Sequence, residues 1–384
     1  MFSIELDEAL QRILKIFYRM GIWQSDEEPN YLKVAKKFFY TFFGALYPIF
    51  FTANAFLCDR NESVFSVQLT IIAAVLYVKI LYVLFKKQEI LEFLFDPIVV
   101  HSIENREEYD ETVKKIKEFM NFVRMYCLAT FVTVPLLIVI KFPIFSADKG
   151  LPFFISFSWN SSEIIYWLAY FFVSLSSTLY VTANLITILI WYMLLNYSIE
   201  YELLGNKLRK LGVGMKAVKK QKEFRLIQRS GFVEDLIVLI KAHRNLNETI
   251  ERFRSFFSTL FLVQITTSGI IICTSVYSLV FSSNQNIVQI EFYVVVLLYA
   301  IFDIFLIMYL ANDITVASDR LSYCLFESNW IEQTESCKKY VVIMGEVLKQ
   351  PQQLVVLIYP MNLETFMTIV NGAYSMFNIL KSLQ

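Results

Sequence analysis

Seven apolar stretches, each long enough to cross a bilayer, constrain this chain more than any other feature of its sequence. A membrane-spanning helix needs about 20 mostly apolar residues to cross roughly 30 Å of hydrocarbon. With 56% hydrophobic and 18% charged residues, the 384-residue chain is also too apolar for an ordinary soluble protein. The sequence therefore predicts an all-α membrane protein with seven transmembrane helices, at residues 36–57, 64–85, 122–142, 164–195, 255–282, 290–312 and 362–383.

The distribution of lysine and arginine predicts which side of the membrane each connection occupies. Loops rich in these residues stay in the cytoplasm. Of the 35 lysines and arginines, 30 lie in or beside the N-terminal segment and the second, fourth and sixth connections, which share one side. The N-terminus is therefore predicted to be cytoplasmic and the C-terminus extracellular. A G-protein-coupled receptor has the opposite orientation.

The predicted cytoplasmic connections are long and still carry helical patterns. Residues 196–254 and 313–361 place apolar side chains at helical spacing among charges, so we expect helical extensions that pack together as an anchor bundle. A separate helix is expected over about 326–350. Pro351 and Pro360 should then break the chain before the last span.

The N-terminal segment, residues 1–35, has the pattern of an amphipathic helix rather than a signal peptide, because acidic residues stand near its start. We expect this helix to lie at the membrane interface, as part of one seven-helix membrane domain over residues 1–384. Five apolar residues share one face of it: Leu6, Leu10, Ile13, Leu14 and Phe17.

Charged residues within the spans are few. Lys79 lies six residues from the cytoplasmic end of its span, so its ammonium is expected to reach the headgroup region. Asp303 lies deeper, and we identify no second ionisable residue at its depth on another span. A hydrogen-bonding role between helices is therefore expected for it. His243, on a predicted cytoplasmic helix, is expected to have an ordinary solvated or capping role.

No pattern for catalysis, metal binding or a cofactor is present. The chain has two histidines, five scattered cysteines, no Gly-rich phosphate loop and no His-Glu-x-x-His motif. Its formal net charge of zero argues against a nucleic-acid partner, since such proteins usually carry a concentrated basic surface. The sequence thus favours a protein that acts in the lipid bilayer and is not an enzyme.

A polar stripe runs along the last apolar segment, whose residues 364–382 read ETFMTIVNGAYSMFNILKS. Steps of three and four place its polar residues on one side of a helix: Glu364, Thr368, Asn371, Ser375, Asn378 and Ser382. Such a stripe either forms hydrogen bonds between helices or faces water. Repeated around the axis of an oligomer, the helix over 362–384 would line a pore. Ile379 and Leu383 extend the row, and we predict that they gate it by excluding water.

The same region resembles a known family. The residues PMNLETFMTIVNGAYSMFNILKS at 360–382 resemble the C-terminal signature of insect odorant receptors, and RMGIWQ at 19–24 resembles the Gly-Leu/Ile-Trp near that family's start. The resemblance implies an odorant-gated, nonselective cation channel in the plasma membrane of olfactory sensory neurons. It also implies a heteromeric tetramer, in which this chain pairs with an olfactory co-receptor subunit.

The resemblance further implies two sets of functional residues. The pore lining falls on Asn371, Ser375, Asn378, Ile379, Ser382 and Leu383. A pocket for a small volatile ligand in the outer half of the bundle falls on Phe65, Gln68, Ile72, Thr133, Leu136, Tyr166, Tyr170, Ser174 and Tyr277. A gustatory receptor channel and a membrane transporter of small molecules stay open as alternatives.

Overall fold

The computed structural model describes residues 8–24, 28–57, 60–95, 103, 105–140, 142, 151, 162–212, 222–281 and 287–382. The all-α prediction is confirmed, since these residues form helices and one short hairpin. The elements in chain order are α1 (Glu8–Arg19), α2 (Asn30–Leu57), α3 (Arg60–Phe85), α4 (Lys87–Phe95), α5 (Arg106–Ile140), α6 (Glu163–Lys210), α7 (Lys222–Phe281), α8 (Ile287–Phe326), α9 (Glu335–Leu348), β1 (Val355–Val356), β2 (Tyr359–Pro360) and α10 (Leu363–Ser382).

All seven predicted spans lie in helices, within the residues that the structure describes. Five helices are long and apolar enough to cross a membrane, namely α2, α3, α6, α7 and α8. The third and seventh predicted spans fall in α5 and α10. The 20 residues of α10 extend about 30 Å at 1.5 Å per residue, which matches the thickness of the hydrocarbon layer.

Two of the helices continue well beyond a bilayer, as the helical extension predicted over residues 196–254 requires. The 48 residues of α6 and the 60 residues of α7 extend about 72 and 90 Å at 1.5 Å per residue. Charged residues of both helices contact the segments that follow α8. Arg209 Nε donates to Glu327 Oε2 at 2.5 Å, and Arg254 Nη1 donates to the Val355 carbonyl at 3.4 Å. These contacts join segments that the charge distribution assigns to the same, cytoplasmic side.

Helix α6 forms the centre of the molecule. From Thr182 to Tyr201 every residue except Asn196 is buried. A helix that is apolar on all sides belongs in the interior of a bundle. It contacts α8 most extensively and also packs against α3, α5 and α7.

Helix α1 packs its apolar face on the rest of the protein. Its face with Leu10 and Phe17 is buried in the main core, and the adjacent Trp23 donates from its indole Nε1 to the Val83 carbonyl at 2.8 Å. The apolar face predicted for this helix therefore packs on the rest of the chain, and its position at the membrane interface stays a prediction. Leu6 lies outside the described residues.

The break before the last span is a hairpin. The predicted helix over 326–350 is shorter and begins later, as α9, because α8 continues to Phe326. After α9, β1 and β2 pair antiparallel around an exposed turn in which Leu357 has a φ of 57°. The Asn362 side chain then accepts a hydrogen bond from the Thr365 amide at 2.8 Å and caps α10.

Candidate functional site

An apolar cavity of about 550 Å³ lies among α2, α3, α5, α6, α7 and α8. Sites for small molecules have volumes of roughly 300–1,000 Å³ and mostly apolar walls with a few polar groups. The walls here are aromatic and aliphatic, and they include Tyr47, Phe51, Leu179, Phe292, Val296 and Phe305. The cavity therefore has the size and lining of a site for a small apolar molecule.

Small side chains explain why the helices leave this space. Ala73, Ala129, Ser176 and Ala300 line the cavity from four different helices, and each occupies little volume. Gly44 on α2 also faces it, and a Cβ there would come 3.0 Å from the Tyr77 ring. The glycine thus allows that ring to lie across α2 as part of the cavity wall.

A buried ion pair lies beside the cavity, which Lys79 lines and Asp303 does not; we call this region the polar end of the cavity. Lys79 Nζ lies 3.8 Å from Asp303 Oδ2 and donates to Thr187 Oγ1 at 2.9 Å. Gln264 Nε2 donates to the same Asp303 Oδ2 at 2.5 Å. Lys79 is 3% exposed and Asp303 is fully buried. Opposite charges buried in a low-dielectric interior stabilise one another only when they are paired in this way.

This pair corrects two of our predictions. Lys79 does not extend to the headgroups, and Asp303 does have an ionisable partner on another span. The sequence argument used the distance of Lys79 from the span end and ignored which side of the helix it occupies. Lys79 follows Ile72 by seven residues and Gln68 by eleven, so all three share one helical face. A prediction that this face points inward would also have placed Lys79 inside.

Three tyrosines surround the polar end and were missed by the sequence analysis. Tyr126, Tyr180 and Tyr299 all line the cavity. Tyr299 donates its hydroxyl hydrogen bond to Asn184 Oδ1, while the Tyr126 ring packs edge-on against Trp191 with 5.0 Å between centroids. Tyrosine is abundant in the spans, so composition alone does not single these three out.

The residues predicted to contact a ligand separate into two groups. Ile72 and Thr133 line the cavity. The other seven do not appear in its wall: Phe65, Gln68, Leu136, Tyr166, Tyr170, Ser174 and Tyr277. Their proposed contact with a ligand stays a prediction.

Several of those seven side chains have packing roles. Tyr170 donates to the Ile138 carbonyl at 2.8 Å, and its ring lies 6.0 Å from those of Tyr166 and Trp167. Gln68 Nε2 donates to Ser275 Oγ at 2.6 Å and so joins α3 to α7. These contacts stabilise the bundle beside the cavity.

The polar stripe of α10 faces away from the rest of the chain. Asn371, Ser375, Asn378, Ile379 and Ser382 are all exposed, Ile379 to 60%. Leu383 lies outside the described residues. The Ser375 and Ser382 hydroxyls donate to the carbonyls of Asn371 and Ile379 on α10 itself. The stripe is therefore free of the packing that joins α10 to α7 and α8.

The opposite face of α10 contacts the cavity wall. Ala373 is buried in one hydrophobic cluster with Ile271 and Ala300, which both line the cavity. Phe366 meets the ring of Phe305 edge-on at 5.4 Å between centroids, and Phe305 also lines the cavity. One aromatic side chain thus contacts both the cavity and the last helix.

Known proteins are similar to this chain in sequence and in fold. Residues 60–374 match the family described as 7tm Odorant receptor. Odorant receptor 94a of Drosophila melanogaster is 26% identical over 398 residues, which cover 97% of each chain. The olfactory receptor OR5 of Machilis hrabei has a similar fold. Its structure in complex with eugenol has a TM-score of 0.78 at 15% identity over 98% of each chain, and its structure without that ligand has a TM-score of 0.77 at 13% identity.

Proposed function

This chain belongs to the insect odorant receptor family, a family of multi-pass membrane receptors of the plasma membrane, and on that premise we propose that it is a subunit of an odorant-gated cation channel. A volatile molecule binds in the cavity among α2, α3 and α5 to α8. Binding favours an arrangement of the helices in which α10 opens a central pore. The chain acts in this proposal as a receptor and not as an enzyme.

The exposed polar stripe of α10 carries the proposal. Asn371 and Asn378 have amide groups that lipid cannot satisfy, and leaving such groups in hydrocarbon costs free energy. Both are exposed in the single chain. Water in a pore shared by several subunits would solvate them. Ile379 and Leu383, toward the extracellular end, would narrow that pore. When water leaves this apolar constriction, ions cannot pass and the pore is closed.

The cytoplasmic end offers a surface for assembly. The hairpin turn presents Leu357 and Ile358 to solvent, and Ile343 and Val347 of α9 are also exposed. Large apolar side chains exposed outside the membrane are candidates for contact with another protein. We propose that co-receptor subunits cover this surface in a heteromeric tetramer.

The test is a current recording from cells that express the chain together with a co-receptor subunit. A panel of small volatile molecules should evoke cation currents that are absent when either subunit is expressed alone. Uptake of a volatile without conductance would favour a transporter. Currents evoked by sugars or bitter compounds and not by volatiles would favour a gustatory channel.

A further inference from the structure

The wall of the cavity reaches the outer surface of the chain on one side. Phe292, toward the extracellular end of the cavity, and Lys79, toward its cytoplasmic end, are both buried. Among the described residues that line the cavity, the exposed ones are Ala129 of α5 and Leu298 and Phe305 of α8. The cavity is therefore open to the surface of the chain beside α5 and α8.

The exposed wall residues belong to exposed rows on these two helices. On α8 the row at steps of four and seven is Val294, Leu298, Phe305 and Tyr309. On α5 the row at steps of four and three is Met125, Ala129, Val132 and Leu136. The first and last members of each row are exposed without lining the cavity. Each row thus faces the surroundings of the chain, and the cavity reaches it at an inner member.

Aromatic rings close the opening on its cytoplasmic side. The Phe302 ring of α8 lies 5.5 Å from that of Phe122 and 5.8 Å from that of Tyr126, between centroids, and so joins α8 to α5. In the predicted orientation α5 runs outward and α8 runs inward. Ala129 and Leu298 therefore both lie on the extracellular side of these rings. We call the opening beside Ala129 and Leu298 the mouth of the cavity.

The mouth lies at the depth of the lipid tails. Leu298 is three residues from the middle of the predicted span 290–312, and Ala129 is three residues from the middle of the predicted span 122–142. At 1.5 Å per residue each lies about 4.5 Å from the midplane, whereas the hydrocarbon extends about 15 Å to either side. Leu298 is 61% exposed at this depth. The mouth therefore meets hydrocarbon and not water.

Small apolar molecules are concentrated in that hydrocarbon, because each methylene group raises the ratio of their concentration there to that in water about fourfold. We propose that the odorant enters the cavity from the lipid tails, through the mouth between α5 and α8, and not from the extracellular water. Ala129 and Leu298 then set how fast it enters and leaves. The inference rests on the proposed function of the cavity as the odorant site and adds the route by which that site is filled.

Narrowing the mouth tests the route. Leu298→Trp and Ala129→Trp each place an indole there, and the probe is the volatile of the panel that evokes the largest current with the co-receptor. After rapid application and removal of that volatile, the initial rise and the decay of the current should both slow by about threefold or more. A barrier on the path slows entry and exit by the same factor, so the half-maximal concentration should change by less than about twofold.

Matched controls lie on the same exposed rows but outside the cavity wall. They are Val294→Trp on α8 and Val132→Trp on α5, and both should keep the rates of the unchanged chain. Equal slowing in the controls, or unchanged rates in the mouth variants, overturns the route. A shift of the half-maximal concentration without slowing also overturns it, since that result indicates altered binding. If one mouth variant does not reach the cell surface, the other decides.

A second measurement needs no odorant. The complex with the co-receptor, carrying Leu298→Trp, is placed in bilayers of phosphatidylcholine brominated at mid-chain, and its fluorescence is compared with that of the unchanged complex. Bromine should quench most of the emission of the added indole, and iodide in the water should not. Quenching by iodide places the position in water, and quenching by neither reagent places it under a neighbouring subunit. Either result overturns the inference.

The two proposals fail in different ways. If no volatile of the panel evokes a current with the co-receptor, the proposed function fails and the route falls with it. If volatiles evoke currents and the mouth variants behave like their controls, the channel function stands and the route through the lipid is wrong.

Discussion

The polar end of the cavity and the polar stripe of α10 place polar groups in the membrane in opposite ways. At the cavity, Lys79 and Asp303 come from different helices and pair inside one chain. On α10, Asn371 and Asn378 lie on one helix, and their side chains are exposed and face away from the rest of the chain. Polar groups that partner within the chain stabilise its fold, whereas groups that the fold leaves exposed point to water or to other chains.

Breaking the ion pair should have the largest effect. Lys79→Met or Asp303→Leu alone leaves one charge buried without its partner, which typically costs about 3–5 kcal/mol of stability. The double variant should recover much of that loss, because it removes both charges. Thermal unfolding of detergent-solubilised protein, followed by size-exclusion chromatography, measures the stability of each variant. Lys381→Met, which removes an exposed charge, is the control. If the single variants are as stable as the double variant, the pairing of Lys79 with Asp303 is contradicted.

Changes on the stripe should alter current without altering the fold. Asn371→Leu removes a polar group from an exposed position, so the amount of folded protein at the surface should stay the same. If α10 lines the pore, the cation current should fall by about tenfold or more, since an apolar lining disfavours water and ions. Surface labelling and whole-cell currents separate the two effects. Met376→Leu, exposed but off the stripe, is the control.

A milder change is expected at the proposed gate. Ile379→Ser replaces an apolar side chain by a hydroxyl at the outer end of the row, which should favour water in the closed pore. The current measured without odorant should rise severalfold at unchanged surface expression. An unchanged basal current would remove Ile379 from the gate.

The smallest effect should come from a buried group outside the membrane. His243, on the charged part of α7, is buried beside Tyr201, and burial lowers its pKa from the ordinary 6.5. The folded state therefore resists protonation, so stability should be greatest above the ordinary pKa and decline as the pH falls toward the folded-state value. Unfolding temperatures measured across this pH range should show a slope that His243→Gln reduces.

Burial of His243 also shows where the sequence argument fell short. Its position on a charged cytoplasmic helix indicated a solvated or capping role, and the expectation of solvation is wrong because the side chain is buried. The same error affected Lys79. Location along a helix can be read from spacing and charge, but the face that packs depends on neighbouring helices that are far away in sequence.

Features that depend on local pattern were predicted well. The seven spans follow from the length of the apolar runs, and the stripe of α10 follows from steps of three and four in one helix. The cavity could not be predicted in this way, since residues such as Gly44, Thr133 and Ala300 come from three separate helices. Its shape arises only when small side chains from all of them meet.

Phe305 has two roles, because its ring lines the cavity and also packs α8 against Phe366 of α10. A ligand that displaces the Phe305 ring would also disturb the packing of Phe366. The two rings are in direct contact, so no chain of intervening side chains is needed. If the cavity is the odorant site, as we propose, its other walls can differ between receptors without changing the contact between Phe305 and Phe366. The same phenylalanine contact would then operate in receptors whose cavities bind different ligands.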